Sequence, residues 1–239
     1  MIPLFIERSG KRPWVTILFA IMVAGVFVVH HSMLGSTALI QTIGLVPVRA
    51  WSVESWRLLG WGEQVGPWLF YPWFHASALH LIGNVWGLWV FGGAIERDRG
   101  PWGFIVVWLV TSIGAGVTYI LIQPDQISPL IGASGSVAGM IGFCCLRSIG
   151  ARVGTWVPWN PFHTVFLSPW AFVLAWTAVT IAAVSITARA DLATAGWIHG
   201  GGFVLGALCG LVVRYRHPKN AEQIPFHGLN DGSSGRFIS

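Results

Sequence analysis

Six long apolar runs follow one another along the chain, separated by shorter polar segments. A helix of about 20 mostly apolar residues is long enough to cross a bilayer. The pattern therefore predicts an all-α fold, a polytopic membrane protein with a six-transmembrane helical bundle over residues 14–213. Residues 1–13 are expected to form a cytoplasmic N-terminus and residues 214–239 a polar cytoplasmic tail. The predicted spans are Trp14–Ser32, Ala76–Gly93, Trp102–Gln123, Ser134–Ser148, Pro169–Thr187 and Gly196–Val213.

Composition excludes soluble and disordered proteins. Only 10% of the 239 residues are charged and 54% are apolar, whereas about 25% of a soluble domain is charged. The net charge of +5 comes without a basic patch interleaved with aromatic residues, so the lipid bilayer and not nucleic acid is the expected partner. The three cysteines, Cys144, Cys145 and Cys209, lie in apolar runs without metal-site or disulfide spacing, so we expect them to be buried packing residues.

The distribution of basic residues predicts the orientation. With the N-terminus inside, eleven Lys and Arg fall in inner segments and three in outer ones, as the positive-inside rule requires. Both termini are then cytoplasmic, and six spans without a further domain suggest a bacterial plasma (inner) membrane. The inner residues are Arg8, Lys11, Arg12, Arg97, Arg99, Arg147, Arg152, Arg214, Arg216, Lys219 and Arg236, and the outer ones are Arg49, Arg57 and Arg189.

The first outer connection, from Met33 to about Phe74, is unusually long for a compact bundle. Its high tryptophan content predicts a segment that lies in the membrane interface, although an ordinary aromatic belt accounts for most of these residues as well. The tryptophans are Trp51, Trp56, Trp61, Trp68 and Trp73.

A few polar side chains enter the apolar spans, and such residues are functional candidates because they are costly in lipid. His80 and Asn84 are four residues apart and share a helix face, with His75 just before them. Ser134 begins the fourth span and His199 lies in the sixth. In the predicted orientation, spans two, four and six all begin on the outer side. We therefore expect His80, Asn84, Ser134 and His199 at one depth.

Small residues recur every four positions on two of these spans. Such stripes let helix backbones approach closely, which would bring the Ser134 hydroxyl near the His199 imidazole. The stripes are Gly202, Gly206 and Gly210 on the sixth span, and Ser134, Ala138 and Gly142 on the fourth.

These residue types suit peptide-bond hydrolysis. A serine hydroxyl becomes a nucleophile when a base removes its proton, and neutral His199 can do this and then protonate the leaving amine. His80 and the Asn84 amide can donate hydrogen bonds to the developing oxyanion. Since the spans hold no acidic residue at this depth, the sequence predicts a Ser134–His199 dyad and not a triad.

The polar residues and their neighbours form one characteristic set. The motifs are His75-xxxx-His80-xxx-Asn84, Phe91-Gly92 with Glu96, Gly132-Ala133-Ser134-Gly135, and His199-xx-Gly202-xxx-Gly206. Across all six predicted spans, this set resembles the rhomboid family of intramembrane serine proteases.

The resemblance implies that Ser134 is the nucleophile and His199 the general base. It implies an oxyanion hole made of His80, Asn84 and the Ser134 backbone N–H. It further implies transmembrane protein substrates, cut near helix-destabilising residues, a first outer loop that lies partly in the membrane, and neither metal nor cofactor. Family members often carry a Trp-Arg pair in that loop, where this chain has Pro67-Trp68-Leu69-Phe70.

Other readings remain open from the sequence. A catalytically silent rhomboid-like protein would bind transmembrane clients without cutting them, and a small transporter would use the polar residues to line a pathway. A membrane metalloprotease would need His75, His80 and His199 as ligands, but the chain has no HExxH motif. Ser136 is the alternative nucleophile, although it lies about 200° around the helix from Ser134.

Overall fold

The computed structural model describes residues 2–6, 12–34, 37–147, 153–157, 160–174 and 191–216. Most of these residues are helical. The helices are α1 (Trp14–Val29), α2 (Thr37–Ile43), α3 (Pro47–Trp51), α4 (Val53–Leu58), α5 (Trp61–Phe70), α6 (Ala78–Gly87), α7 (Gly93–Ile122), α8 (Ser134–Arg147) and α9 (Asp191–Arg216). Residues His30–Leu34 and Leu88–Gly92 are π-helical, Tyr71–Trp73 form a 3₁₀ turn, and the strands are β1 (Ile2–Ile6), β2 (Val153–Val157) and β3 (Asn160–Leu167).

Within the residues that the structure describes, three helical stretches are long and apolar enough to cross a membrane: Trp14–Ser32, Ala78–Ile122 and Ala193–Arg214. The second contains 45 residues, about 68 Å at 1.5 Å per residue, which is more than twice the thickness of the hydrocarbon core. Its path changes at Gly100, where φ is 74° and ψ is 177°, and Pro101 follows. The two parts on either side of Gly100 correspond to the second and third predicted spans.

The fourth and fifth predicted spans do not meet that length criterion in the described chain. Helix α8 has 14 residues, about 21 Å, against the roughly 30 Å of a typical hydrocarbon core. Residues 169–174 are helical, and the rest of the predicted fifth span lies outside the described residues, as do residues 217–239. The protein is a mostly helical membrane protein, and the number of six spans stays a prediction.

The all-α prediction was wrong for two segments, which form a small antiparallel sheet in the order β1-β2-β3. Ile2 is opposite Trp156 in β2, and Val153 is opposite Leu167 in β3. Short runs of β-branched and aromatic residues favour this conformation, and Val153 is completely buried. The N-terminal segment, which was expected only to be a cytoplasmic N-terminus, therefore supplies an edge strand to the connection that follows α8.

The long connection between α1 and α6 is folded into the four short helices α2–α5. Trp51, Trp56 and Trp61 are exposed, whereas Trp68 packs against the cluster that contains Leu45. The exposed tryptophans fit the predicted interfacial segment, and the packed one attaches that segment to the bundle.

An aromatic cluster holds α1 against α7. The Phe19 ring lies 5.1 Å from Phe104 and 5.4 Å from Trp108, both edge-on, and 5.0 Å from Trp73. Edge-to-face contacts of this kind add to the stabilisation from burial. The cluster therefore joins the first helix, the long connection and α7.

The first turn of α1 is capped by a carboxylate from α7. Glu96 accepts hydrogen bonds from the Val15 N–H (3.0 Å), the Thr16 N–H (2.6 Å) and the Thr16 hydroxyl (2.7 Å). Helix N-termini leave N–H groups without intrahelical partners, and a negative charge there complements the helix dipole. Because Glu96 is only 7% exposed, this cap is a buried link between α1 and α7.

Helices α8 and α9 meet backbone to backbone along the two stripes of small residues. A Cβ at Gly202 would collide with the Gly135 carbonyl oxygen, and one at Gly206 with the Gly139 carbonyl oxygen. At Gly210 it would lie 2.5 Å from the Phe143 carbonyl oxygen. The absence of a side chain at these α9 positions is what permits the close contact predicted from the sequence.

Replacing Gly206 with alanine tests this contact. The added methyl group meets the Gly139 carbonyl, so we expect Gly206→Ala to lower the free energy of unfolding by about 1–3 kcal/mol. Gly196→Ala in the same helix is the matched control, because a Cβ there has nothing within 4 Å. Thermal unfolding in detergent compares the two variants, and equal stability would contradict the close contact.

Replacing Glu96 with glutamine tests the α1 cap. The amide retains one acceptor oxygen but turns an N–H₂ group toward backbone donors, so we expect a loss of about 2–3 kcal/mol. Glu54→Gln is the control, since Glu54 is exposed on α4 and surface changes usually cost less than about 0.5 kcal/mol. The same unfolding assay measures both, and a Glu96→Gln protein as stable as the control would refute the link.

Candidate active site

One ring nitrogen of His75 contacts both α6, through Asn84, and the backbone just before α8, through Ala133. Its Nε2 lies 3.4 Å from the backbone nitrogen of Ala133 and 2.8 Å from Asn84 Nδ2. Because a backbone N–H can only donate, Nε2 is the unprotonated nitrogen and Asn84 Nδ2 is a donor to it as well. Burial lowers the pKa of His75 to about 4, which keeps the ring neutral as this double acceptance requires.

Gly132 brings the segment before α8 against His80. Its φ is +110°, a conformation that favours glycine, and a Cβ there would lie 2.5 Å from Cε1 of the His80 ring. The His80 ring also meets the His75 ring, with centroids 5.1 Å apart. His80, half-buried near the start of α6, therefore lies beside the backbone that leads into Ser134.

Ser134 is the first residue of α8 and His199 lies on α9 opposite this end. Ile198 comes within contact distance of a Cβ placed on Gly135, and Gly202 packs on the Gly135 carbonyl. Gly202, three residues after His199, therefore brings this turn of α9 beside the start of α8. Both Ser134 and His199 are half-buried. Among the hydrogen bonds of the described residues, none joins the Ser134 hydroxyl to the His199 ring.

Ser136, the alternative nucleophile, points into the bundle. Its hydroxyl lies 2.6 Å from that of Ser112 on α7, and its side chain is 1% exposed. The packing thus separates the two serines of α8, with Ser134 at the helix start near His80 and Ser136 facing α7.

Two anchors of the Ser134 segment were not identified from the sequence. The Tyr71 carbonyl accepts a hydrogen bond from the Gly132 N–H (3.0 Å), and the Tyr71 hydroxyl donates to the Ser112 carbonyl (2.7 Å). Burial raises the pKa of the Tyr71 phenol, so the hydroxyl keeps its proton. Farther upstream, Leu45 and Leu130 exchange backbone hydrogen bonds of 3.1 and 2.9 Å. No local sequence signal marks either pairing.

Residues 62–216 match the Rhomboid domain. RHOMBOID-like protein 4 of Arabidopsis thaliana is 27% identical over 190 residues, which cover 78% of this chain and 42% of that protein. Rhomboid-like protein 11, chloroplastic, of the same plant is 33% identical over 72 residues, covering 30% of this chain and 25% of that protein. Rhomboid protease GlpG of Salmonella newport (strain SL254) is 23% identical over 142 residues, covering 59% of this chain and 45% of that protein.

The chain spans less than half the length of each of these curated relatives. The relatives include a protein named as a protease as well as proteins named only as rhomboid-like. The Rhomboid domain match itself covers more than half of the chain and includes every candidate site residue from His75 to His199. The chain belongs to the rhomboid family.

Proposed function

We propose that this protein is an intramembrane serine endopeptidase that uses a Ser134–His199 dyad to hydrolyse peptide bonds of transmembrane proteins near the outer membrane face. The observation that carries the proposal is the His75 junction, whose Nε2 accepts from both Asn84 and the backbone next to Ser134. That junction links the Asn84 amide to the backbone of the residue that precedes Ser134, at the start of α8. Such an arrangement has a clear use in stabilising an oxyanion.

The proposed reaction begins with attack of Ser134 Oγ on the substrate carbonyl carbon. His199 takes the hydroxyl proton as general base and gives it to the leaving amine nitrogen as the C–N bond breaks. Water then attacks the acyl-enzyme ester, with His199 again accepting the proton, and Ser134 is released. A hydrolytic site of this kind needs water to reach it, and the half-buried state of Ser134 and His199 is compatible with that access.

The negative charge on the carbonyl oxygen requires fixed donors during both steps. One Asn84 Nδ2 hydrogen is used by His75, so the second is free to donate to the oxyanion. We assign the other donors to the His80 ring and the Ser134 backbone N–H at the start of α8, where N–H groups lack intrahelical partners. Gly132 and Gly135 keep the backbone on both sides of Ser134 narrow enough for these contacts, and Gly202 and Gly206 hold α9 in register with them.

A silent rhomboid-like protein that binds transmembrane clients is the second candidate. One observation favours it, namely that the Ser134 hydroxyl is not hydrogen-bonded to the His199 ring in the described structure. Catalytic hydrogen bonds are often long without substrate and tighten in the complex, so the same observation is compatible with an enzyme. Labelling by a serine-reactive reagent distinguishes the two candidates.

The location that we propose is an integral position in a bacterial plasma (inner) membrane with both termini in the cytoplasm. The support is the excess of Lys and Arg in the predicted inner segments, which follows the positive-inside rule. In this orientation, the start of α8 is on the outer side, and the transmembrane substrates would be cut there.

The nucleophile is tested with a fluorophosphonate probe and a transmembrane reporter. We expect Ser134→Ala to abolish both labelling and cleavage, and His199→Ala to abolish cleavage, because the hydroxyl is a weak nucleophile without a base. Ser136→Ala is the matched control and should keep both activities, since its hydroxyl faces Ser112. Labelling that persists in Ser134→Ala would end the assignment, and unlabelled wild-type protein would favour the silent candidate.

The role of His75 is tested by a double-mutant cycle with Asn84. We expect Asn84→Ala to lower kcat by about 100-fold, the cost of one oxyanion donor. His75→Phe should lower kcat with little change in KM, because it keeps a ring but removes the acceptor that orients Asn84. If His75 acts through Asn84, the double variant loses less than the product of the single losses.

The control for the cycle is His31→Phe, which changes an exposed histidine in the π-helical turn that follows α1. It should leave kcat unchanged. Losses that multiply in the double variant, or a rise in KM without a fall in kcat, would show that His75 does not position Asn84.

A further inference from the structure

Tyr71 connects the backbone that leads into α8 to the centre of the helical bundle. Its side chain is 1% exposed and packs with Leu45 and Ile120 in a small apolar cluster. The Tyr71 carbonyl accepts a hydrogen bond from the Gly132 N–H, while the phenol hydroxyl, at the other end of the residue, donates to the Ser112 carbonyl on α7. Tyr71 therefore ties the segment before α8 to a buried part of α7.

A tight turn holds the Tyr71 carbonyl in place. The same carbonyl accepts from the Phe74 N–H (3.4 Å) at the end of the 3₁₀ turn Tyr71–Trp73. The ring of Pro72 restricts φ inside this turn, and Pro72 is buried like Tyr71. His75 lies just beyond the turn, so the Tyr71 carbonyl and His75 Nε2 present two acceptors to successive N–H groups before α8.

The next N–H group along the chain belongs to the proposed nucleophile. Gly132 donates to Tyr71 and Ala133 donates to His75. Ser134 follows as the first residue of α8, a position where N–H groups lack intrahelical partners. Because the two preceding peptide groups are held by Tyr71 and His75, these contacts set the place of the Ser134 N–H, which we assign to the oxyanion hole.

Gly132 also contacts the second oxyanion donor that we propose on this side. At its φ of +110°, a Cβ would lie only 2.5 Å from Cε1 of the His80 ring. The Gly132 backbone is therefore in contact with both the Tyr71 carbonyl and the His80 ring. A displacement of Tyr71 would move Gly132 and change the surface on which the His80 ring rests.

We propose that Tyr71 is a positioning residue for the peptide-bond hydrolysis assigned to this site, and this inference rests on the proposed function. The phenol hydroxyl anchors the turn on Ser112, and the carbonyl fixes Gly132. Through Gly132, Tyr71 positions the Ser134 N–H and the His80 ring. Since Tyr71 is buried and both groups that it positions act on the oxyanion, its contribution is to kcat and not to substrate binding.

Tyr71→Phe tests this role, because it removes only the hydroxyl and keeps the ring and the carbonyl. We expect kcat for a transmembrane reporter to fall about fivefold with KM unchanged, the effect of losing one hydrogen bond on the transition state alone. Fluorophosphonate labelling should slow by a similar factor.

Tyr119→Phe is the matched control. Its hydroxyl also donates to a backbone carbonyl, that of Ser128 (2.9 Å), and its side chain is also buried. This bond lies in the connection upstream of the residues that Tyr71 and His75 hold, so the variant should keep the wild-type kcat. Thermal unfolding of both variants shows that a comparable hydrogen bond has been lost from each.

Two results would overturn the inference: a kcat for Tyr71→Phe equal to that of Tyr119→Phe, or a rise in KM without a fall in kcat. If the wild-type protein neither cleaves nor labels, the proposed function fails, and amide hydrogen exchange decides the positioning role by itself. We then expect peptides that contain Gly132 and Ala133 to exchange faster in Tyr71→Phe than in Tyr119→Phe. Equal exchange in the two variants would show that Tyr71 does not hold this segment.

Discussion

The close contact between α8 and α9 is the constraint on which the rest of the arrangement depends. Lipid gives helices no hydrophobic reason to associate, so the contact must come from packing and weak polar interactions between backbones. Gly202 and Gly206 meet carbonyl groups of α8 one turn apart, which fixes both the rotation and the register of α9. His199 precedes the first of these contacts by three residues and Ser134 precedes its partner Gly135 by one. The register of the two helices therefore determines the relation between the proposed nucleophile and its base.

A second set of constraints acts on the backbone that leads into α8 and comes from the segment between α1 and α6. Leu45 pairs with Leu130, Tyr71 accepts from Gly132, and His75 accepts from Ala133. These three contacts follow one another along both segments, so the connection lies beside the Ser134 segment over several residues. The long connection is therefore a structural part of the candidate site, and a displacement of the connection would act directly on the residues before Ser134.

The sequence predicted two kinds of feature: polar groups that are costly to place in lipid, and small residues that recur with the period of a helix. Polar groups such as Asn84 and His199 stand out in apolar runs, and glycines every four residues mark a packed face. The features it did not predict depend on partners far apart in the chain. Glu96 caps Thr16 from 80 residues away, and β1 pairs with a strand some 150 residues later. The sequence also predicted a break between the second and third spans, from residue 93 to residue 102. In the structure, α7 is interrupted only at Gly100. The helix resumes at once because Pro101 is well suited to the first turn of a helix.

The candidate site has one fixed side and one adjustable side. Asn84, Gly132 and Ala133 are held by hydrogen bonds or by steric fit against His75, Tyr71 and His80. On the other side, the His199 ring is half-buried and not hydrogen-bonded to Ser134 among the described contacts. Because Gly202 fixes the α9 backbone one turn away, the helix itself has little freedom to move toward Ser134. Formation of the proposed dyad would therefore depend on the rotamers of the His199 and Ser134 side chains, while the Asn84 amide, the oxyanion donor that we propose, is already held by His75.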